Sequence, residues 1–181
     1  FAVAGLAKAA VPETVVVYGG PHATFTAEDT LRHVPQIDIV VRGEGEITAQ
    51  ELLRRRSARD TAGLSYRRNG AIVHNPERAF VADINSLPEP KRSMVDMSRY
   101  GLRGDMAPGR AAHVMTSRGC PFNCAFCSAS AMWGRRYRSR DVRRVVDEIE
   151  ELVDRYRISV IKIFDSTFTV DRRHVLSLCG E

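Results

Sequence analysis

Ser117-Arg118-Gly119-Cys120-Pro121-Phe122-Asn123-Cys124-Ala125-Phe126-Cys127 is the stretch on which the reading of this chain turns. Three cysteines fall within eight residues, spaced C-x3-C-x2-C, while Cys179 stands apart. Disulfide scaffolds carry even, dispersed cysteines in small secreted chains; a tight, odd cluster points instead to a reducing compartment and a metal centre. Thiolates are the usual protein ligands of iron–sulfur clusters. Three of them leave one iron of a cubane open, and an open coordination position is where a metal centre binds and activates a substrate. Two alternatives use the same thiols. A structural zinc ion wants four protein ligands, often as two close pairs, and an electron-transfer cluster would need a distant fourth ligand. Cys179 is available for that, although its place on the apolar side of a helical pattern fits a buried lone cysteine.

Working outward, Ala112-His113-Val114-Met115-Thr116 is a strand that leads straight into the cysteine loop. Beyond the loop, Val142, Val145, Val146, Ile149, Leu152, Val153 and Tyr156 recur with helical spacing, and Ser139 or Asp141 is the candidate N-cap. Ile158 to Phe164 is a second buried strand ending at Asp165-Ser166-Thr167. A further helix starts at Asp171, with Val175, Leu176, Leu178 and Cys179 on its inner face. Strand, loop, helix, strand, helix is the opening of a parallel βα barrel, whose chemistry sits at the carboxyl ends of the strands. Both Cys120–Cys127 and Asp165–Thr167 fall at such ends.

Upstream, Thr14-Val15-Val16-Val17-Tyr18 is a strand closed by Gly19-Gly20-Pro21, Ala27 to Arg32 a short helix, Ile37 to Val41 a strand, and Ile47 to Arg56 a helix. This β-α-β-α series argues for part of a parallel, doubly wound sheet. Asn69-Gly70 between Leu64–Arg68 and Ala71–His74 is a hairpin signal, because both turn residues must take positive φ. Prolines 76, 88, 90 and 108 then interrupt a stretch without periodicity, read as a linker with a domain boundary near Leu87–Gly109.

The 181 residues, 44% hydrophobic and 27% charged, have the composition of a globular protein. No run approaches the ~18 apolar residues of a membrane span, and no leader resembles a signal peptide. A cytoplasmic location is expected. The chain opens on Phe1 and its last residues stop inside a helical pattern, so an internal fragment of a longer protein is expected, inactive by itself. The net charge of +5 is carried by arginines. It suits nucleic acid or an anionic substrate, or a solvated surface, the commoner meaning of a charge run. The densest patch, Arg135-Arg136-Tyr137-Arg138-Ser139-Arg140, follows the cysteine loop and can serve that site.

The cysteine loop, with Phe126 before its third cysteine, resembles the signature of the radical S-adenosylmethionine (radical SAM) superfamily. The resemblance implies that Cys120, Cys124 and Cys127 ligate a 4Fe–4S cluster. It also implies that S-adenosylmethionine chelates the open iron through its methionyl amino and carboxylate groups, with Phe126 near the adenine. One electron, from a donor such as flavodoxin or ferredoxin, then cleaves S-adenosylmethionine and yields a 5′-deoxyadenosyl radical. In many members the second barrel strand ends in Gly-Gly-Glu, which meets the methionyl amino group. Asp165-Ser166-Thr167 takes that place here, with Asp165 as the substitute acceptor and Ser166 beside it.

Gly19-Gly20-Pro21-His22-Ala23-Thr24 and Asp38-Ile39-Val40-Val41-Arg42-Gly43-Glu44-Gly45-Glu46 resemble the end of the cobalamin-binding domain found ahead of some radical enzymes. The resemblance implies that Gly19 and Gly20 let the cofactor's nucleotide tail approach, as residues without a Cβ can; alone, the pair reads as a tight turn. His22 is not the cobalt ligand of that family, which belongs to an aspartate-x-histidine-x-x-glycine motif upstream of Phe1. Glu44 and Glu46 are read as helix-starting residues.

The expected fold is α/β: the C-terminal part of a Rossmann-like cobalamin-binding domain (1–60), a β-hairpin and linker (61–109), and the first βα units of a radical SAM partial TIM barrel (110–181). The expected function is radical SAM chemistry on a small-molecule substrate, with methyl transfer to an unactivated centre leading. An oxidative cyclase of the anaerobic magnesium-protoporphyrin ester type is the runner-up. A transfer-RNA methylthiotransferase would carry a second cluster on leading-domain cysteines, and residues 1–119 contain none; a nucleic-acid partner is not expected. The non-enzyme alternative is an iron–sulfur electron-transfer module.

Overall fold

Helix α1 (Ala2–Ala10) precedes a short strand, β1 (Val17–Tyr18), where the β-branched run meets its glycines. Helix α2 (Pro21–Phe25) then starts directly at Pro21, a residue whose fixed φ and missing N–H suit a first helical position. Next come α3 (Ala27–His33), β2 (Ile39–Val41), α4 (Gly45–Arg55) and the hairpin strands β3 (Leu64–Arg68) and β4 (Ala71–His74). The second part holds β5 (Ala111–Val114), β6 (Ser117–Arg118), α5 (Ala129–Trp133), β7 (Arg138–Ser139), α6 (Val142–Asp154), β8 (Val160–Ile163) and α7 (Arg172–Gly180). This computed structural model describes residues 1–55, 57–100 and 110–180. Two units emerge, Phe1–Val81 and Ala82–Glu181. The last part of the expected linker, residues 101–109, and the helix end expected at Arg56 lie outside the described residues. No helix among the described residues is long and apolar enough to cross a membrane.

In the first unit the strand order is β1-β2-β3-β4. β1 and β2 are parallel, but β3 runs antiparallel to β2 and β4 antiparallel to β3, so the sheet is mixed and not wholly parallel. Asn69 and Gly70 take φ of 50° and 79°, the positive values a two-residue turn needs. The hairpin was expected beside the linker; instead it completes the sheet, because Ile39–Val41 pairs with Leu64–Tyr66. Strand β2 is buried on both faces. Val40 packs with Ala23, Ala27 and Leu31 on one side, and Ile39 and Val41 with Leu64 and Tyr66 on the other. Arg67 reaches from the hairpin to the carbonyls of Leu31, Val34 and Ile37, closing the carboxyl end of α3. Glu44, expected only to start a helix, is buried and accepts a hydrogen bond from the Val81 amide at 2.6 Å.

In the second unit β5 and β8 pair in parallel, Ala111 with Val160 through Val114 with Ile163, and α6 lies between them in sequence. Asp141 caps α6 by accepting from the Arg144 amide. Val145 and Leu152 of that helix bury against Ala112, Val114, Ile158 and Met97. In α7 the inner face differs from the expected one. His174 is buried and Leu178 packs on the core, whereas Leu176 and Cys179 are exposed.

The proline-interrupted stretch is more than a tether. Residues 84–86, 92–94 and 97–99 form single 3-10 turns, two of them capped by Asp83 and Asp96. Glu148 of α6 is 5% exposed and pairs with Arg92 from this stretch and with Arg140 (2.6 Å). Arg140 and Arg144 both reach Glu89, and Arg144 also donates to the carbonyls of Asn85 and Leu87. A buried carboxylate between two guanidiniums is costly to unmatch, because removing one partner strands the opposite charge out of water. We expect Glu148→Gln to destabilise the fold by about 3 kcal/mol in urea denaturation. Glu28→Gln, which breaks the exposed Glu28–Arg32 pair, should cost less than about 1 kcal/mol.

Candidate cluster-binding site

The loop that carries the cysteines leaves the carboxyl end of β5 and returns before α6, and its base is stitched shut. Ser117 pairs with Ser139 and Arg118 with Arg138, making the small antiparallel ribbon β6–β7. Two residues further in, the Cys120 amide donates to the Gly134 carbonyl at 3.1 Å. Gly119 has a φ of +91°, and a Cβ there would collide with the Arg136 carbonyl, so only glycine lets the two arms close this tightly. Arg138 donates to the Trp133 carbonyl at 2.5 Å, and the Arg118 guanidinium lies 5.1 Å from the Trp133 ring centre. Arg138 of the basic patch and Arg118 before the cysteines thus hold the base of the loop together.

Above this base, residues 121–128 are all exposed. Cys124 and Cys127 are free thiols in that arc, joined by a turn in which the Cys127 amide donates to the Cys124 carbonyl at 3.1 Å. Cys120 is also free but only 8% exposed. Phe126 is 94% exposed and stands clear of the core, as an aromatic face offered to a ligand would. Among the described residues no three His, Cys, Asp or Glu side chains are gathered around a single-ion position. A cubane, whose irons occupy separate corners, does not ask its ligands to converge on one point. Three unblocked thiols on one pinned loop therefore fit a 4Fe–4S cluster. Cys179, the alternative fourth ligand, lies exposed near the end of α7.

The carboxyl end of β8 meets this base through Asp165. Its carboxylate accepts from the Thr116 amide (2.7 Å), the Thr116 hydroxyl (2.6 Å) and the Ser117 hydroxyl (2.6 Å). Asp165 was expected as a free acceptor for the methionyl amino group, but the structure engages it with its own chain, leaving room for about one more donor on a carboxylate. Ser166 is exposed, and Thr167 places its hydroxyl 3.2 Å from the Cys120 sulfur. Buried His174 lies with Nε2 3.2 Å from the Thr116 hydroxyl. The single proton of that hydroxyl goes to Asp165, so Nε2 of His174 carries a hydrogen and donates. Burial pushes the Tyr137 phenol above its ordinary value of 10.0; the charges of Asp165 and Asp171 add to this and the neighbouring Ser117 hydroxyl opposes it. Tyr137 is thus a neutral phenol beside the loop, its buried hydroxyl without a hydrogen-bond partner among the described residues. Thr116, Ser117, Tyr137 and His174 were not singled out from sequence as site residues, and Thr167 only as the end of the Asp165-Ser166-Thr167 stretch; position at a strand end was the available signal for Thr116 and Ser117.

In the first unit, Gly19 and Gly20 follow β1, and Gly43 follows β2. Gly20 has φ +103° and ψ −178°, a region essentially reserved for glycine, and a Cβ there would meet nothing within 4 Å. Thr24 ties the two loops together: its hydroxyl donates to the Gly20 carbonyl (2.9 Å) and accepts from the Gly43 amide (3.0 Å). The result is open backbone at Gly20 and Gly43, at the carboxyl ends of two parallel strands, the place where α/β sheets take ligands. This fits the approach of a large cofactor tail.

Comparison with known proteins gives a match for each unit. Residues 2–53 match the B12 binding domain family, and residues 114–178 match the radical SAM superfamily. Over 98% of its length the chain is 41% identical to an uncharacterized methyltransferase of Pyrococcus horikoshii, of which it spans 39%. Over 97% it is 33% identical to the anaerobic magnesium-protoporphyrin IX monomethyl ester cyclase of Cereibacter sphaeroides, of which it spans 29%. Among solved structures, the cobalamin-dependent S-adenosylmethionine radical enzyme OxsB superposes with a TM-score of 0.72 at 18% identity, covering 99% of this chain and 26% of OxsB. The radical S-adenosylmethionine methyltransferase TsrM of Kitasatospora setae gives 0.66 at 22% identity, covering 93% and 33%. At those identities the superpositions speak for the fold. The two family matches bring their cofactors with them, a 4Fe–4S cluster with S-adenosylmethionine for one and cobalamin for the other. The chain thus matches, in sequence order, a B12 binding domain and the radical SAM superfamily, and the second match covers the loop of three free thiols.

Proposed function

We propose that the protein containing this chain is a cobalamin-dependent radical SAM methyltransferase acting on an unactivated centre of a small molecule. The observation that carries the reading is the pinned loop of Cys120, Cys124 and Cys127, three free thiols at the end of β5 with the B12-binding unit before them. Bound there, a reduced 4Fe–4S cluster supplies the single electron that breaks the carbon–sulfur bond of S-adenosylmethionine, and cobalamin supplies a methyl carrier.

The chain's own residues hold and orient. Cys120, Cys124 and Cys127 take three irons and leave the fourth to S-adenosylmethionine, with the exposed ring of Phe126 available to the adenine. Gly19 and Gly20 let the cobalamin tail approach. Asp165 anchors the loop to β8, and its remaining lone pair is the one left for the methionyl ammonium. Ser166 is exposed at the same strand end. The electron comes from a low-potential partner of the flavodoxin or ferredoxin class.

The methyltransferase reading leads because the Pyrococcus relative carries that name at 41% identity. Oxidative ring closure is the second reading, favoured by the cyclases of Cereibacter sphaeroides and Rubrivivax gelatinosus at 33% and 34% identity. Product analysis separates them: a methylase transfers a label from methyl-labelled S-adenosylmethionine, and a cyclase does not.

Two experiments test the site. Full-length protein reconstituted anaerobically should give a 4Fe–4S electron paramagnetic resonance signal that S-adenosylmethionine perturbs, and Cys124→Ala should lose it; an unaltered signal in that variant would overturn the ligand assignment. For Asp165, replacement by Asn puts an NH2 either against the Thr116 amide at Oδ1 or against the Thr116 and Ser117 hydroxyls at Oδ2. Asp165→Asn should therefore destabilise the fold by about 1–3 kcal/mol in chemical denaturation before any cofactor is added. Unchanged stability would show that anchoring is not its task.

A further inference from the structure

Cys120 differs from the other two thiols of the loop. It is shielded from water where Cys124 and Cys127 are exposed, and the Thr167 hydroxyl lies 3.2 Å from its sulfur. In the free thiol form either atom of that pair can donate. Iron removes the choice, because a metal-bound cysteine is a thiolate without a proton. The Thr167 hydroxyl is then the donor and Cys120 Sγ the acceptor.

The hydroxyl is placed by backbone that is fixed independently of the sulfur. Two residues earlier, Asp165 is held by three hydrogen bonds to Thr116 and Ser117. Immediately after, Thr167 opens the single turn Phe168–Val170, its carbonyl accepting from the Val170 amide at 3.4 Å. Cys120 is fixed from its own side by the Gly134 carbonyl. Both partners are held before the bond forms, so forming it costs little side-chain entropy. The contact continues the line of polar links between segments 116–120 and 165–167.

Hydrogen bonds to ligand sulfur and shielding from solvent are two of the levers that set the potential of an iron–sulfur cluster. A donor at the thiolate draws off negative charge and favours the reduced state, which carries one more electron. We propose that Thr167 is a tuning residue of the cluster, donating a hydrogen bond to iron-bound Cys120 and making one-electron reduction easier. The electron comes from an external one-electron donor and no proton moves. This inference rests on the cluster reading above, and it gives Thr167 a part separate from the contact to S-adenosylmethionine that its strand end would suggest.

The test is a redox titration of the full-length protein, reconstituted anaerobically, with dithionite as reductant and without S-adenosylmethionine. Iron and sulfide content are measured first. In Thr167→Val, similar in shape but without the hydroxyl, the reduction equilibrium should fall about tenfold, a shift of 59 mV to more negative potential for one electron. Thr167→Ala, titrated alongside in case the valine disturbs cluster loading, should shift the same way. Thr167→Ser should return to the wild-type potential. A fully loaded valine or alanine variant with unchanged potential overturns the proposal, as does a serine variant shifted as far as valine. Wild-type protein that builds no 4Fe–4S cluster would instead sink the underlying site assignment.

Discussion

The Asp165 carboxylate is the constraint on which the second unit is built. Strands β5 and β8 pair over four residues, and two such strands form a marginal sheet unless something fixes their ends. Past Val114 the ladder would stop and the chain would be free to leave at any angle. Asp165 continues it with side-chain oxygens, taking the backbone amide of Thr116 and the hydroxyls of Thr116 and Ser117. The start of the cysteine loop is thereby referred to the neighbouring strand and not to its own flexible interior. Everything beyond follows from that registration: the β6–β7 ribbon, the close approach at Gly119 and the shielded position of Cys120.

The arginine excess has a related explanation. Read from composition, it suggested a solvated face or an anionic partner. In the structure many of these guanidiniums are internal fasteners. Arg67 binds three backbone carbonyls, Arg138 one, and Arg92, Arg140 and Arg144 gather the proline-rich stretch onto α6 around Glu148 and Glu89. Five donors in a rigid fork let arginine satisfy several acceptors where a lysine would satisfy fewer. Part of the basic charge is thus a by-product of how irregular segments are held, while arginines such as Arg135, Arg136, Arg172 and Arg173 are exposed.

Features governed by local rules were legible in the sequence. The period of Val142–Tyr156 and the Asn69-Gly70 turn depend on neighbouring residues, and the structure has a helix over Val142–Asp154 and positive φ at both turn residues. What was missed depends on long-range contacts. The reversal of β3 against β2 is set by which edge the hairpin finds, and no residue in Leu64–Arg68 announces it. Cys179 and Leu176 sat on an apolar stripe by spacing, yet α7 turns His174 inward because that ring meets Thr116, fifty-eight residues away. At the site, the three cysteines were plain. The task of Asp165 was not, since a carboxylate at a strand end looks the same whether it faces a ligand or its own chain. Asp83 and Asp96, each capping a single turn in the proline-rich stretch, were signals present in the sequence and left unused.

The unequal shielding of the three thiols bears on how the cofactor is installed. Cys124 and Cys127 stand in the open arc of residues 121–128, while Cys120 sits at its closed base. Anything arriving from solution therefore meets the two outer sulfurs first and the inner one last, on a loop the polypeptide has already shaped.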